Sequence, residues 1–261
     1  MKLAGKAAIV TGAGTGVGAA TARLLASKGT SVAVAYRKSS EEADGVVASI
    51  SEAGGEAFAF RAAVANDEDC RSLVAAAVEK FGRLDVLVNN AGTTEFIPFD
   101  DLEAVTDEVW QKLYQVNVVG AFHCARAAAP HLREQGGDDG AEIMNVGSVA
   151  GLKPTGSCIP YAASKAALHN LTVALARTLA PDVRVNAVAP GFISGRWLRE
   201  GLGERYESTK AAFEDAMPLK AVCSPEDVAA ALLSIIEGPD LVTGQILTCD
   251  AGMSVSESIR V

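Results

Sequence analysis

The sequence predicts an α/β protein built on a doubly wound parallel sheet. Short apolar, β-branched runs alternate with longer amphipathic segments from one end of the 261 residues to the other, and 49% of residues are hydrophobic, enough for a sizeable core. Strand, helix, strand repeated in this way implies parallel pairing with helices on both faces, because right-handed crossovers place them on each side. No Pro- or Ser-rich linker divides the chain and no period of 20 to 50 residues repeats, so one domain over residues 1–261 is expected.

Seven runs read as strands. They are Ala7 to Thr11, Ser31 to Tyr36, Ala57 to Phe60, Val86 to Asn89, Glu142 to Val146, Val183 to Val188 and Gln245 to Thr248. Between them lie helical patterns with apolar residues three and four apart, as in Leu73, Val74, Ala77 and Val78 before Phe81-Gly82, and a long helix is expected from Tyr161 to Ala180. Two stretches interrupt the alternation. Glu134 to Gly140 is polar and Gly-rich and reads as an exposed loop tipped by Asp138-Asp139. Phe192 to Leu219 is too long for a simple connection and reads as a lid. It carries Phe192, Trp197, Leu198, Leu202, Tyr206, Phe213 and Met217 among Arg196, Arg199 and Arg205. That surface suits either closure over an apolar ligand, with arginines reaching an anionic group on it, or a subunit contact.

Charge excludes one class of partner. With 23 Lys+Arg against 32 Asp+Glu the net charge is −9, and a phosphate backbone repels such a chain, so no nucleic-acid partner is expected. The five cysteines, Cys70, Cys124, Cys158, Cys223 and Cys249, are far apart in sequence without a C-x-x-C pair and read as reduced intracellular thiols. His123, His131 and His169 form no ligand pattern, so no metal is expected. The start, Met1-Lys2-Leu3-Ala4-Gly5-Lys6, has no apolar signal core, and no run is long enough to span a bilayer, so a soluble cytoplasmic protein without a membrane partner is expected.

The first strand ends in Thr11-Gly12-Ala13-Gly14-Thr15-Gly16-Val17-Gly18 and leads into a helical segment. Glycines let the backbone approach a diphosphate, and a helix start offers it unpaired N–H groups and partial positive charge. Strand before and helix after is the context this turn needs to hold a dinucleotide. The second strand runs into Tyr36-Arg37-Lys38-Ser39-Ser40 with no acid until Glu41, which predicts NADP(H) over NAD(H). Arg37 is the expected main contact to the 2′-phosphate, since a guanidinium pairs with it through two hydrogen bonds.

Tyr161 and Lys165 lie four apart on one helical face, and Ser148 follows the fifth strand, at the sheet edge where ligands bind. A phenol with an ordinary pKa of about 10 is a poor acid or base near neutrality. An ammonium about 4 Å away would stabilise the phenolate by at most roughly 4 kcal/mol at an effective dielectric of about 20. Lys165 is therefore expected to lower the Tyr161 pKa, and Ser148 to donate to a substrate carbonyl as charge develops there. A serine hydrolase is disfavoured, since Gly147-Ser148-Val149-Ala150-Gly151 lacks the G-x-S-x-G spacing.

Thr11-Gly12-x-x-x-Gly16-x-Gly18, Asn89-Asn90-Ala91-Gly92, Asn117, Ser148, Tyr161-x-x-x-Lys165 and Asn186-Ala187-Val188-Ala189-Pro190-Gly191 occur in the order and spacing of the short-chain dehydrogenase/reductase family. The resemblance covers essentially the whole chain and is nearest in style to the branch that reduces 3-oxoacyl groups on a carrier protein. It implies a single-domain Rossmann fold with a seven-stranded sheet. Tyr161 resembles the catalytic acid/base, Lys165 the residue that tunes it and holds the nicotinamide ribose, and Ser148 the carbonyl-orienting donor. Asn117 resembles the residue holding a water that relays protons from the lysine. Asn90, Ala91 and Gly92 resemble the segment beside the cofactor, and Pro190, Gly191 and Ile193 the segment against the nicotinamide. A homotetramer is the implied assembly.

Three departures stand out. Ala63-Val64 replaces the usual Asp-Val pair beside the adenine, leaving a backbone contact through Val64. Gly195 stands where the family often has a carboxamide-binding Thr, so either Ser194 substitutes or the loop binds less tightly. In the carrier-dependent branch cations commonly mark the docking face, whereas this chain has Pro181-Asp182 ahead of the sixth strand and an acidic loop at Asp138-Asp139, which weighs against an acidic carrier. The expected activity is NADP(H)-dependent hydride transfer between the nicotinamide and a small-molecule ketone or secondary alcohol. Alternatives are a 3-oxoacyl thioester reductase and, from another class, a non-catalytic dinucleotide-binding protein.

Overall fold

Seven parallel strands pair in the order β3-β2-β1-β4-β5-β6-β7 in the computed structural model, which describes residues 1–135 and 140–256. The strands are β1 (Ala7–Thr11), β2 (Ser31–Tyr36), β3 (Ala57–Arg61), β4 (Val86–Asn89), β5 (Ala141–Val146), β6 (Val183–Pro190) and β7 (Ile246–Cys249). The helices are α1 (Gly16–Ser27), α2 (Ser40–Glu52), α3 (Asp67–Phe81), α4 (Asp107–Tyr114), α5 (Gly120–Gln135), α6 (Ile159–Leu179), α7 (Arg196–Leu202), α8 (Tyr206–Ala216) and α9 (Pro225–Ile236).

The five inner strands, β2, β1, β4, β5 and β6, are buried on both faces, and the period of two divides them between two cores. Ala8, Val10, Val32, Val34, Val86, Val88 and Met144 pack with residues of α1, α2 and α9 on one face. Their neighbours Ile9, Ala33, Ala35, Leu87 and Ile143 pack with α3, α5 and α6 on the other. Local signals set several helix ends. The Asn66 side chain accepts from the Glu68 and Asp69 amides at the start of α3, Gly82 (φ 72°) closes it, and Ser224 with Asp227 forms a capping box on α9.

The expected strands are all present, with small shifts. β3 gains Arg61 and β5 gains Ala141, β6 continues to Pro190 because Pro190 still pairs with Cys249, and β7 lies one residue later. The expected loop from Glu134 is partly helix, since α5 continues through Gln135; Asp138-Asp139 lie outside the described residues. The stretch from Phe192 to Leu219 folds as α7, a 3-10 turn at Gly203–Arg205, and α8.

The chain order reverses direction across the sheet between β1 and β4. Crossovers leave β1 toward β2 on one side and β4 toward β5 on the other, which opens a crevice at the carboxyl ends of these two strands.

Candidate active site

The crevice is built around the glycine-rich turn. Gly12 has a positive φ of 64°, and a β-carbon on Gly18 would lie 2.4 Å from the Gly12 carbonyl oxygen and 2.5 Å from Asn90 Nδ2. Only glycine permits that closeness. Asn90 is the clamp, donating from Nδ2 to the carbonyls of Thr11 (2.9 Å) and Gly12 (3.1 Å). The Thr11 hydroxyl accepts from the Asn90 and Ala91 amides, both at 3.0 Å. Thus Thr11 and Asn90 tie the turn to the end of β4. The extended Thr15 begins α1 without a side-chain cap, so the first-turn amides of the helix have no capping partner from it, and Gly14, Thr15 and Gly16 line a cleft bordered by Glu42 and Pro225. Gly14 closes against Ser39, where a β-carbon would come within 3.1 Å. This cradle fits a diphosphate.

At the end of β2, Arg37 and Lys38 are exposed and the Ser40 hydroxyl donates to the Tyr36 hydroxyl at 3.1 Å. Strand register adds a cation that reading along the chain missed. Arg61 pairs with Tyr36 across β2 and β3, and its Nε donates to the Arg37 carbonyl at 3.4 Å. One signal in the sequence pointed to it: Arg61 directly ends the third apolar run.

Ser148, Tyr161, Lys165 and Asn117 converge beyond β5. Lys165, 4% exposed, donates from Nζ to the Val146 carbonyl at 2.8 Å and lies 5.8 Å from the Tyr161 ring centroid. Its ammonium is pulled down to about 8 by burial. The Tyr161 phenol is pushed up to about 12, chiefly by burial, with the hydrogen bond from Ser148 acting against that. The expected depression of the phenol by Lys165 is therefore absent here. The lysine's charge sits over the ring and is spent on a backbone carbonyl, while desolvation disfavours the phenolate.

Asn117 lies in a π-helical turn, Gln115–Val119, between α4 and α5. Its Nδ2 donates to Thr93 O (3.0 Å) and Ser164 Oγ (2.9 Å), and its Oδ1 accepts from Thr93 N (2.8 Å). The side chain is a structural strut. A residue overlooked in the sequence stands behind Ser148: His169 Nε2 accepts from Ser148 N at 3.4 Å. A β-carbon on Gly147 would lie 2.2 Å from that nitrogen. Burial, then the charge of Lys165, draws the imidazole down to about 4, so it is neutral near pH 7. Its position four residues after Lys165 on the same helical face was the available signal.

A family model described as short chain dehydrogenase matches residues 6–204. The chain belongs to the short-chain dehydrogenase family. It is 37% identical over 254 residues to a 3-oxoacyl-[acyl-carrier-protein] reductase from Synechocystis, covering 96% of this chain and 98% of that protein. It is 38% identical to 3beta-hydroxysteroid dehydrogenase 1 from Eggerthella lenta, covering 97% and 95%. A solved 7 alpha-hydroxysteroid dehydrogenase, complexed with NADH and 7-oxo glycochenodeoxycholic acid, superposes with a TM-score of 0.86 at 33% identity, covering 96% of this chain and 95% of that one. The chain is thus a short-chain dehydrogenase, an oxidoreductase acting on carbonyl and alcohol groups.

In this short-chain dehydrogenase the segment after β6 is strung between two strands. Gly191 N donates to Cys249 O (3.0 Å), and Ile193 bridges to Cys223. The Ser194 hydroxyl donates to Cys223 O at 3.2 Å. Beside the expected adenine site, Ala63 N donates to the Asp69 carboxylate at 2.8 Å. The Val64 carbonyl meets Cys70 Sγ and His123 Nδ1.

The apolar residues after β6 largely face one another. Phe192 packs on Phe213 and Tyr206 at 4.9 and 6.3 Å between ring centroids, and Tyr206 is 2% exposed. Trp197 is the exception, its ring tip 3.7 Å from where a Gly92 β-carbon would lie. Arg196 pairs with Glu42 on α2 at 2.7 Å, and Arg199 pairs with Glu207 at 2.7 Å while stacking over Tyr206. Two of the three arginines expected to reach an anion are thus held by carboxylates of this chain.

Proposed function

We propose that this short-chain dehydrogenase is an NADP(H)-dependent carbonyl reductase for a free small-molecule ketone, running in reverse as an alcohol dehydrogenase. The observation that carries the reading is the convergence of Ser148, Tyr161 and Lys165 beside the β1/β4 crevice. Ser148 Oγ orients the carbonyl oxygen, and Tyr161, which burial keeps protonated, gives its proton to that oxygen. Lys165, charged below about 8, supports the negative charge left on the phenol. The side chain of Asn117 is spent within the protein, so its part is to hold the π turn whose opened backbone receives the relay water.

A bound nicotinamide dinucleotide supplies or accepts the hydride. Gly12, Gly14, Thr15, Gly16, Val17 and Gly18 would hold its diphosphate. Tyr36, Arg37, Lys38, Ser39 and Arg61 would hold the 2′-phosphate, and Ala63 with Val64 would border the adenine. Asn90, Ala91, Gly92, Pro190, Gly191 and Ile193 would line the nicotinamide half, with Lys165 on its ribose. Residues 192–219 would form the substrate lid, with Trp197 nearest the reacting end. The exposed aromatic side chains Trp110 and Tyr114 on α4 and Phe122 on α5 support the homotetramer. The reduced thiols suit a cytoplasmic setting.

A second reading, reduction of a 3-oxoacyl thioester, draws on the resemblance to the Synechocystis protein. A cofactor-coupled absorbance screen over ketones, alcohols, and free and carrier-bound 3-oxoacyl thioesters separates the two. Tyr161→Phe keeps the ring and removes the proton; turnover should fall by at least about a hundredfold. Turnover near the starting level would overturn the mechanism, and a lower KM with NADH than NADPH would overturn the cofactor assignment. Carrier-bound thioester turning over far faster than any free ketone would favour the second reading.

A further inference from the structure

Folding gathers four of the five scattered cysteines into two close pairs. Cys70 and Cys124 Sγ atoms are 3.5 Å apart where α3 packs on α5, and both residues are fully buried (0% and 1% exposed). Cys223 and Cys249 Sγ atoms are 4.0 Å apart at the end of β7, with Cys223 6% exposed and Cys249 only half-buried. The second pair therefore meets solvent through one sulfur and the first through neither.

The second pair also holds the segment that follows β6 by its main chain. Cys249 O accepts from Gly191 N at 3.0 Å, and Pro190 is the register partner of Cys249. Cys223 N donates to Phe192 O at 2.9 Å, and Cys223 O accepts from Ser194 N at 2.8 Å and from the Ser194 hydroxyl at 3.2 Å. The backbones of the two cysteines are thus bonded to three of the four residues 191–194, and the fourth, Ile193, bridges to Cys223. There is little slack, because a β-carbon on Gly191 would already lie 2.9 Å from the Asp250 β-carbon.

We propose that Cys223 and Cys249 form a dithiol modification site that a peroxide oxidises to a disulfide, and that its closure displaces residues 191–194. Cys249 is the attacking sulfur, since it has access. The Cys249 thiol gives up its proton, the thiolate takes one oxygen of the peroxide, the O–O bond breaks, and the other oxygen leaves as hydroxide that picks up that proton to become water. Cys223 then attacks the resulting sulfenic sulfur, the S–S bond forms, the S–O bond breaks, and a second water leaves with the Cys223 proton. Two thiols lose two electrons in total and one peroxide becomes two waters. The Cys223 hydrogen bond holds the Cys249 thiol below its usual range, while Cys223 itself is raised by the same contact and by burial, which agrees with this order of attack.

A disulfide needs about 2.05 Å between sulfurs, so closure draws the pair together by about 2 Å. The pull passes through the Cys223 and Cys249 backbones into Gly191, Phe192 and Ser194. The consequence for nicotinamide binding rests on the function proposed above; formation of the disulfide does not.

The full-length chain is treated with hydrogen peroxide, alkylated, digested and mapped by mass spectrometry, and NADPH affinity is measured by fluorescence titration before and after. The expected result is a Cys223–Cys249 cross-linked peptide, Cys70 and Cys124 still reduced, and NADPH binding about tenfold weaker until a thiol reductant restores it. Neither Cys223→Ser nor Cys249→Ser should form the cross-link or lose affinity on treatment. Alkylation of both Cys223 and Cys249 after peroxide, or cross-linking of Cys70 with Cys124 instead, overturns the proposal. Unchanged affinity of the cross-linked chain overturns the displacement. If the reduced chain binds neither NADPH nor NADH, the functional reading fails, and the peptide map still decides the thiol pair.

Discussion

The Lys165 ammonium donates to the Val146 carbonyl at 2.8 Å, and faces the Tyr161 ring 5.8 Å from its centroid. The lysine is thus anchored by β5 and placed beside the phenol, in a desolvated setting that draws its own pKa down to about 8. On the proposed mechanism, ketone reduction needs a protonated Tyr161 and a charged Lys165. The phenol, at about 12, stays protonated throughout the working range. The limiting titration is the lysine's: kcat/KM for ketone reduction should be flat near pH 7 and fall as pH rises through about 8. Lys165→Arg, which keeps its charge, should move that fall upward. A profile unchanged to pH 10 in the parent enzyme would contradict the assignment.

Gly18 and Gly16 make a matched pair of tests. A methyl at Gly18 meets the Gly12 carbonyl at 2.4 Å, whereas at Gly16 nothing lies within 4 Å and the cost is only that of a φ of 54°. Gly18→Ala should cost about 2 kcal/mol or more in denaturant unfolding, in the manner of overpacking, and abolish measurable NADPH binding. Gly16→Ala should cost about 1 kcal/mol, the penalty of a left-handed alanine.

Cofactor choice is predicted to reside at the end of β2. Arg37→Ser should raise KM for NADPH about tenfold and leave KM for NADH nearly unchanged, as loss of one charge-assisted contact requires. Arg61→Ser should act in the same direction, since its Nε is held at the Arg37 carbonyl. Steady-state kinetics with both cofactors checks each variant.

Glu142 sets a pH dependence of stability remote from the site. It is fully buried in β5, and burial raises its pKa from 4.5 to about 7, against the pull of Arg184 at 2.8 Å and of the Asn186 hydrogen bond. The folded state then binds the proton more tightly than the unfolded chain. The contribution is full below about pH 4.5 and is lost as pH rises through about 7, a change of at most about 3 kcal/mol. Urea unfolding at pH 5 and pH 8 should show the fall in the parent and a much smaller one in Glu142→Gln. Arg184 keeps partners in that variant, because its guanidinium also donates to the Ile235, Ile236, Pro239 and Val242 carbonyls.

The sequence by itself determined the strands, the glycine-rich turn, and the residues Ser148, Tyr161 and Lys165, since these rest on local periodicity and on spacing within one helix. Tertiary structure decided what depends on neighbours distant along the chain. Arg61 joins the basic cluster only through the register of β2 with β3, and His169 supports Ser148 only because α6 returns beneath the strand end. Arg196 is tied to Glu42 across 154 positions, which no local pattern encodes. Charge state followed the same division. Tyr161 and Lys165 were legible as a pair, but their pKa values follow from desolvation and from the Val146 carbonyl, and a sequence carries neither. Most plainly, Cys223 and Cys249 are separated in the chain and meet at 4.0 Å because β7 lies beside β6, whose outgoing segment runs along both thiols' backbones.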